Sequence, residues 1–490
     1  MNKIFKVIWN HTAQRFVVVS ELTKSNGKSS STDNRIEPTK ALLALGVAGV
    51  ALLGGAEAIA ATASTAISAT DTSGNPVTLY AASDANGTAI GQDAKAESGT
   101  NAAGNSSVAI GYNSSAVAMS ATAIGTNSNS NATYALAIGF GAGASGTSAL
   151  AIGDKAVASG ELSVAIGCST QASEVQSTAI GTEAVASGKF SFAMGSKSVA
   201  SNVSTISVGM QSAASGANST SIGVISKAAA ESSIAMGPQA EVTSTGDSAI
   251  AIGRTSKATG DRAVAVGRSA TATGANSTVL GTVSRATGAN ATTIGTRVNA
   301  TGDNATSIGT NSNASAENTT VIGTLANATT TATNSNVIGN GALSNSTNST
   351  IIGTNASVAD SNSGESIAIG SNATIAGSGT GFAVAIGNNA TTNGINSMAL
   401  GRSSSTSGQS SIAVGTFANA SSNYAIATGM NSTASAENSI ATGHFANATA
   451  SGAVAMGTNS TASKTNGVAV GTNATVNTSD KNVSLGSNSA

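Results

Sequence analysis

Gly153-Asp154-Lys155-Ala156-Val157-Ala158-Ser159-Gly160-Glu161-Leu162-Ser163-Val164-Ala165-Ile166 is one unit of a fourteen-residue repeat, and Gly167 opens the next. The unit glycine recurs at every fourteenth position from Gly111 to Gly237, again from Gly253 to Gly323, and onward to Gly486. A short fixed period over most of 490 residues describes a stacked, quasi-one-dimensional protein, not a globule around a pocket. Function is therefore sought on an extended surface. Insertions before Gly253, Gly339, Gly370 and Gly387 break the register and are the places to look for specificity.

Numbered from its glycine at 0, the unit holds two segments of period two, the strand signature. Ala lies at +3 and +5; Val and Ile lie at +11 and +13 around a central Ala. Glycines at 0 and +7 punctuate two corners, where positive φ is expected. Asn at +2 (Asn113, Asn127, Asn311, Asn355, Asn459, Asn473) fits a left-handed corner. Each coil is thus expected to be two strands of about five residues, stacked in parallel about 4.8 Å apart. The 27 intervals from Gly91 to Gly486 then give a rod about 130 Å long. Repeats this short exclude helical solenoids.

The two strands differ. At +4 the second strand varies and is often polar (Val157, Lys227, Lys257, Arg285), so one of its faces is wet. The first reads Val164-Ala165-Ile166 or Val384-Ala385-Ile386, apolar on both faces. With Val and Ile lining the interior, the central Ala would face outward and let another backbone come close. A strand apolar on both faces is covered on both sides, and an unbroken apolar stripe of this length is too large for water. The rod is expected to self-associate along its length, as a dimer or a trimer.

Charged residues are 9% and aromatics 3% of the chain. Residues 61–490 carry 14 basic and 18 acidic side chains, so no global basic field for nucleic acid exists. Cys168 stands alone, which excludes an intrachain disulfide or a CxxC pair. Only His11 and His444 are available for acid–base work, so no enzyme is expected, and no cofactor or metal site. Gly139-Phe140-Gly141-Ala142-Gly143 lacks the helix of a phosphate loop, and pairs such as Gly260-Asp261 lack the nine-residue period of a calcium roll. The many Asn-x-Ser/Thr triplets, among them Asn276, Asn290 and Asn304, read as by-products of corner composition.

Residues 1–60 read as an extended export signal. An apolar run spans 41–55, too short to cross a membrane, and Ala58-Ile59-Ala60 predicts cleavage after Ala60. Before it stand Met1-Asn2-Lys3-Ile4-Phe5-Lys6-Val7-Ile8-Trp9-Asn10 and Phe16-Val17-Val18-Val19-Ser20-Glu21-Leu22-Thr23-Lys24. This block, residues 1–24, resembles the extended signal peptide region of Gram-negative type V secretion proteins. Residues 61–85 form a cap or linker, and 86–490 the repeats.

Behind that signal, repeats of the form S-V-A-I-G-x-x-A-x-A-x-G resemble the YadA-type head of trimeric autotransporter adhesins. The resemblance implies an all-β parallel β-roll, a β-solenoid assembled as a side-by-side homotrimer on the outer membrane. It implies adhesion to host extracellular matrix proteins, cell-surface glycans or other bacterial cells, and no nucleic acid. A neck, heptad stalk and barrel anchor are expected after such a head. This chain ends at Ser487-Asn488-Ser489-Ala490 still in register, so a truncated or split gene product is expected.

Arg254, Lys257, Arg262, Arg268, Arg285 and Arg297 gather in four consecutive repeats. Arg254 and Arg268 share +1 in adjacent coils; Lys257 and Arg285 share the outward +4 column two coils apart. Such a stripe is a candidate for an acidic glycan or acidic matrix segment, against the plainer reading of a solvated edge mixed with Asp261 and Asp303. Two other functions remain in play. One is a spacer or biofilm scaffold; the other, an ice-binding solenoid, needs a Thr-x-Thr ladder that Val, Lys, Arg and Ser interrupt around Thr271-Ala272-Thr273.

Overall fold

The computed structural model describes residues 5–10, 15–20, 67–70, 76–79, 81–83, 87–97, 106–360, 364–377 and 381–490. Residues 1–60 and 61–490 are separate compact units. In the first, Phe5–Asn10 pairs antiparallel with Arg15–Ser20; the 41–55 run, Ala58 and Ala60 lie outside the described residues. In the second, a hairpin of Ile67–Thr70 with Pro76–Leu79 precedes the solenoid. The stacked register begins at Ala81–Ser83, which pairs with Ala94–Ala96, ahead of the expected start at 86.

The fold is an all-β parallel solenoid of about 27 coils, each contributing one strand to each of two parallel sheets. Among the described residues there is no helix. The strands are shorter than the five residues expected. The first is three residues, as in Val164–Ile166, and the second two, as in Val157–Ala158. Only Thr292–Thr296 and Thr306–Thr310 reach five. Turns at both ends take the rest of each coil, and each turn itself joins the ladder: Leu162 N–H donates to Thr147 O at 2.9 Å and Ser169 N–H to Asp154 O at 2.7 Å.

The interior reverses one expectation. Ala165 and Ala385 are fully buried, whereas Val164, Ile166 and Val384 are half-buried and Ile386 is exposed. The central Ala, not its neighbours, points inward. Both strands therefore meet as methyl groups, Ala156 and Ala158 against Ala165, and the larger side chains form the outer face. The physical reason is volume: two strands closing a fourteen-residue coil leave room for methyl groups and hydroxyls, and larger groups must face out.

The coil is also a doubled seven-residue half, which the spacing of glycines only hinted at. Left-handed φ occurs at +2 and +9, as at Lys155 (52°) and Leu162 (56°). The six corner Asn named above all have φ between 52° and 57°. An inward Ala or Ser follows each of these corners, and several of the Ser bond back three residues: Ser128 Oγ to Gly125 O at 2.8 Å, Ser177 Oγ to Glu174 O at 2.7 Å. Gly153 adopts φ 133°, as expected at position 0. Gly160 at +7 does not have positive φ; a Cβ there would overlap the Glu174 carbonyl of the next coil. Close approach, and not φ, keeps glycine at that second corner.

The longer coils compensate inside. Val242, Val358 and Ile375 replace Ala at +5 in the coils that carry the insertions before Gly253, Gly370 and Gly387, and all three are fully buried. The coil that carries the insertion before Gly339 keeps Ala328 at this position.

Candidate binding surfaces

Three surfaces follow from this geometry. The first is the outer face of the three-residue strands. Ile110, Ile124, Ile138, Ile152, Ile166 and Ile180 pair rung to rung in one column. Further along, Leu280 is 41% and Ile352 39% exposed. The apolar stripe is not unbroken, however. From Thr278 to Thr350 its first column becomes Thr278, Thr292, Thr306, Thr320, Asn336 and Thr350. Over the same coils the inward position enlarges to Val279, Val321, Val337 and Ile351, with Thr293 and Ser307 between them. Apolar volume there moves from outside to inside. Val164, Ile166, Val384 and Ile386 thus belong to the outer face, and Ala165 and Ala385 to the core.

The second surface carries the basic residues. Arg254 and Arg268 stand exposed at the first corner of adjacent coils, and Arg297 sits in the left-handed +2 position with φ 55°. Lys257 and Arg285 face outward on the short strands with Thr271 between them. They therefore form two short columns, not one stripe. Lys257 Nζ lies 3.1 Å from Glu241 Oε2, its rung neighbour, and Arg262 pairs with Asp261 at 3.2 Å. Among the described residues Arg254, Arg268, Arg285 and Arg297 form no ion pair.

The third is the row of left-handed corners; those at +2 were expected, and the ladder of side chains at +9 was not. Asn276, Asn290, Asn304, Asn318, Asn334 and Asn348 form a hydrogen-bonded amide ladder, and Arg262 Nε donates into its first member at 2.7 Å. Other corners hold bulky exposed side chains, including Tyr134, Phe417 and Phe445. The sequence shows this corner only where Asn recurs in it, at Asn276, Asn290 and Asn304.

The residues weighed for catalysis are dispersed. Cys168 is exposed at a corner, with its Sγ 3.6 Å from Asp154 Oδ2. His444 packs on Phe445, with ring centroids 4.2 Å apart, and His11 lies outside the described residues. Among the described residues no three His, Cys, Asp or Glu side chains converge on a metal-sized site.

Comparison with known families agrees with this geometry. The model of the extended signal peptide of the type V secretion system matches residues 1–49. The YadA head domain repeat matches in stretches running from residues 82–114 to 448–474, which together cover well over half of the chain. The first match assigns the chain to export by the type V route, and the two together indicate the cell surface. No curated protein matches the chain.

Proposed function

This chain belongs to the trimeric autotransporter adhesins with a YadA-type head, and on that premise we propose that it is the adhesive head of a bacterial surface protein. Three rods lie side by side through the outer face of their three-residue strands and attach the cell to host matrix proteins, host-cell glycans or other bacteria. The observation that carries the assembly is the column of outward Ile side chains continued from coil to coil between Ile110 and Ile180. Water does not leave so long an apolar face uncovered. Attachment is multivalent: weak contacts repeated on three chains combine through effective concentration. The outer membrane is the destination in this reading.

Arg254, Arg268, Arg285 and Arg297 supply an anion-binding component for acidic glycans or acidic matrix segments. Lys257 contributes less, because Glu241 already pairs with it. Binding of the purified rod to immobilised matrix proteins and glycosaminoglycans tests this directly. A variant neutralised at Arg254, Lys257, Arg268 and Arg285 should lose the acidic ligands; unchanged binding to all of them removes this surface from the account.

A second reading, a spacer or scaffold rod, is favoured by the unbroken register of nine coils from Gly111 to Gly237. Aggregation of the rod with itself, without retention on any matrix protein or glycan, would select it.

A further inference from the structure

Within the adhesive reading above, we infer that the corner edge through Phe417, Asn431 and Phe445 is a docking strip for a neutral β-1,4-linked hexose polymer lying along the rod. The three residues occupy the same +2 corner in consecutive coils. Their backbones are tied in register: Phe417 N–H donates to Arg402 O at 2.9 Å, Asn431 N–H to Thr416 O at 2.9 Å and Phe445 N–H to Met430 O at 3.0 Å.

Phe417, Asn431 and Phe445 have φ of 58°, 54° and 56°. Asn tolerates that region at less cost than a bulky side chain does. Asn occupies the same column at Asn389, Asn459 and Asn473, while Ile225, Val283 and Leu325 hold it elsewhere, so the coil itself imposes the conformation on whatever residue stands there. The rings gain little inside the chain in exchange, being 44% and 49% exposed.

Rings that stabilise a solenoid by stacking on each other sit in adjacent rungs, about 4.8 Å apart. Phe417 and Phe445 skip a rung, placing them about 10 Å apart with an amide between. Tyr112 and Phe140 repeat the pattern at +1, with Thr126 between, and are 51% and 52% exposed. A β-1,4-linked hexose chain turns over at each linkage, so the same apolar ring face recurs at every second sugar. That period suits rings on alternate rungs.

Polar groups frame the rings. The Arg402 guanidinium lies 4.6 Å from the Phe417 ring centroid, so it fixes one ring face and leaves donors at the rim. His444 tilts against Phe445 at 54°, and its shielded Nε2 has no hydrogen-bond partner. Asn431 offers an amide with both a donor and an acceptor, which matches sugar hydroxyls. Grooves for extended proline-rich peptides use Tyr and Trp, whose O–H and N–H hold the peptide carbonyls; these two phenylalanines have neither.

The test titrates the full chain with cellohexaose and chitohexaose, using maltohexaose and a polyproline peptide as comparisons. The double variant Phe417→Asn, Phe445→Asn is measured in parallel, together with its thermal midpoint. The expected result is binding of a β-1,4-linked hexasaccharide, weakened roughly tenfold per ring removed. The midpoint should be unchanged or higher, because Asn suits the corner. Absence of β-linked binding, equal binding by the variant, or preference for polyproline overturns the inference. So does a drop in the midpoint without a change in sugar affinity, which would mean that the rings pack between chains. Rods that adhere to cells yet ignore these sugars refute this strip alone; rods that adhere to nothing refute the adhesive reading.

Discussion

Asn290 Nδ2 donates to Asn304 Oδ1 at 3.0 Å, across one rung of the rod. The same bond repeats from Asn276 to Asn348, always from the earlier coil to the later one. Each interior amide therefore spends one donor and one acceptor on its neighbours, at a backbone φ between 52° and 56°. Such ladders bind successive coils together on the outside of a solenoid whose inside is mostly methyl groups.

Replacing Asn304 separates the two contributions. Asn304→Gly removes the ladder bonds but suits the left-handed corner, while Asn304→Ala also forces Ala into that region, at about 1–2 kcal/mol. Urea unfolding should rank the native chain above Gly and Gly above Ala. Ala equal to Gly would show that the corner conformation imposes no strain.

Three glycine substitutions should divide sharply. Gly153→Ala places Cβ against the Gly167 carbonyl at φ 133°, and Gly160→Ala places it against the Glu174 carbonyl. Each is expected to destabilise its coils by more than about 3 kcal/mol, as an overlap with backbone that cannot relax. Gly143→Ala meets nothing within 4 Å and has no positive φ. It should be neutral or stabilising by about 0.4–1 kcal/mol in thermal unfolding.

Ile375 is fully buried in a coil lengthened by an insertion. Ile375→Ala should cost about 2–4 kcal/mol by leaving a cavity. In a solenoid the damage stays near the lesion. Hydrogen exchange should accelerate around Ile369 and Ile386 while coils near Ile166 keep their protection. Uniform loss along the rod would contradict local coupling.

The repeat made the solenoid, its parallel stacking and the Asn corners readable before any coordinates. The period gives the rung, and period-two alternation gives the strands. It did not reveal which face of Val164-Ala165-Ile166 points inward, because a strand apolar on both faces offers no polar residue to orient it. The volume of the closed coil decides that, and it chose Ala165. The +9 corner was missed because its residues vary: Leu162, Gln176, Phe190 and Asn218 share a backbone conformation but no chemistry. The basic stripe was legible as composition, yet Glu241 lies a full coil before Lys257 and their pairing emerges only when coils stack.

The central claim is that the outward Val and Ile columns are covered by further copies of the same chain. The direct measurement is the native mass of the exported chain in solution, beside a variant carrying Ile152→Asp, Ile166→Asp and Ile180→Asp on the outer column. The account predicts a three-chain mass for the native protein. For the variant it predicts an assembly that falls toward single chains while far-ultraviolet circular dichroism keeps its β signature. A single-chain mass for the native rod at every concentration, or an undiminished assembly in the variant, would contradict it.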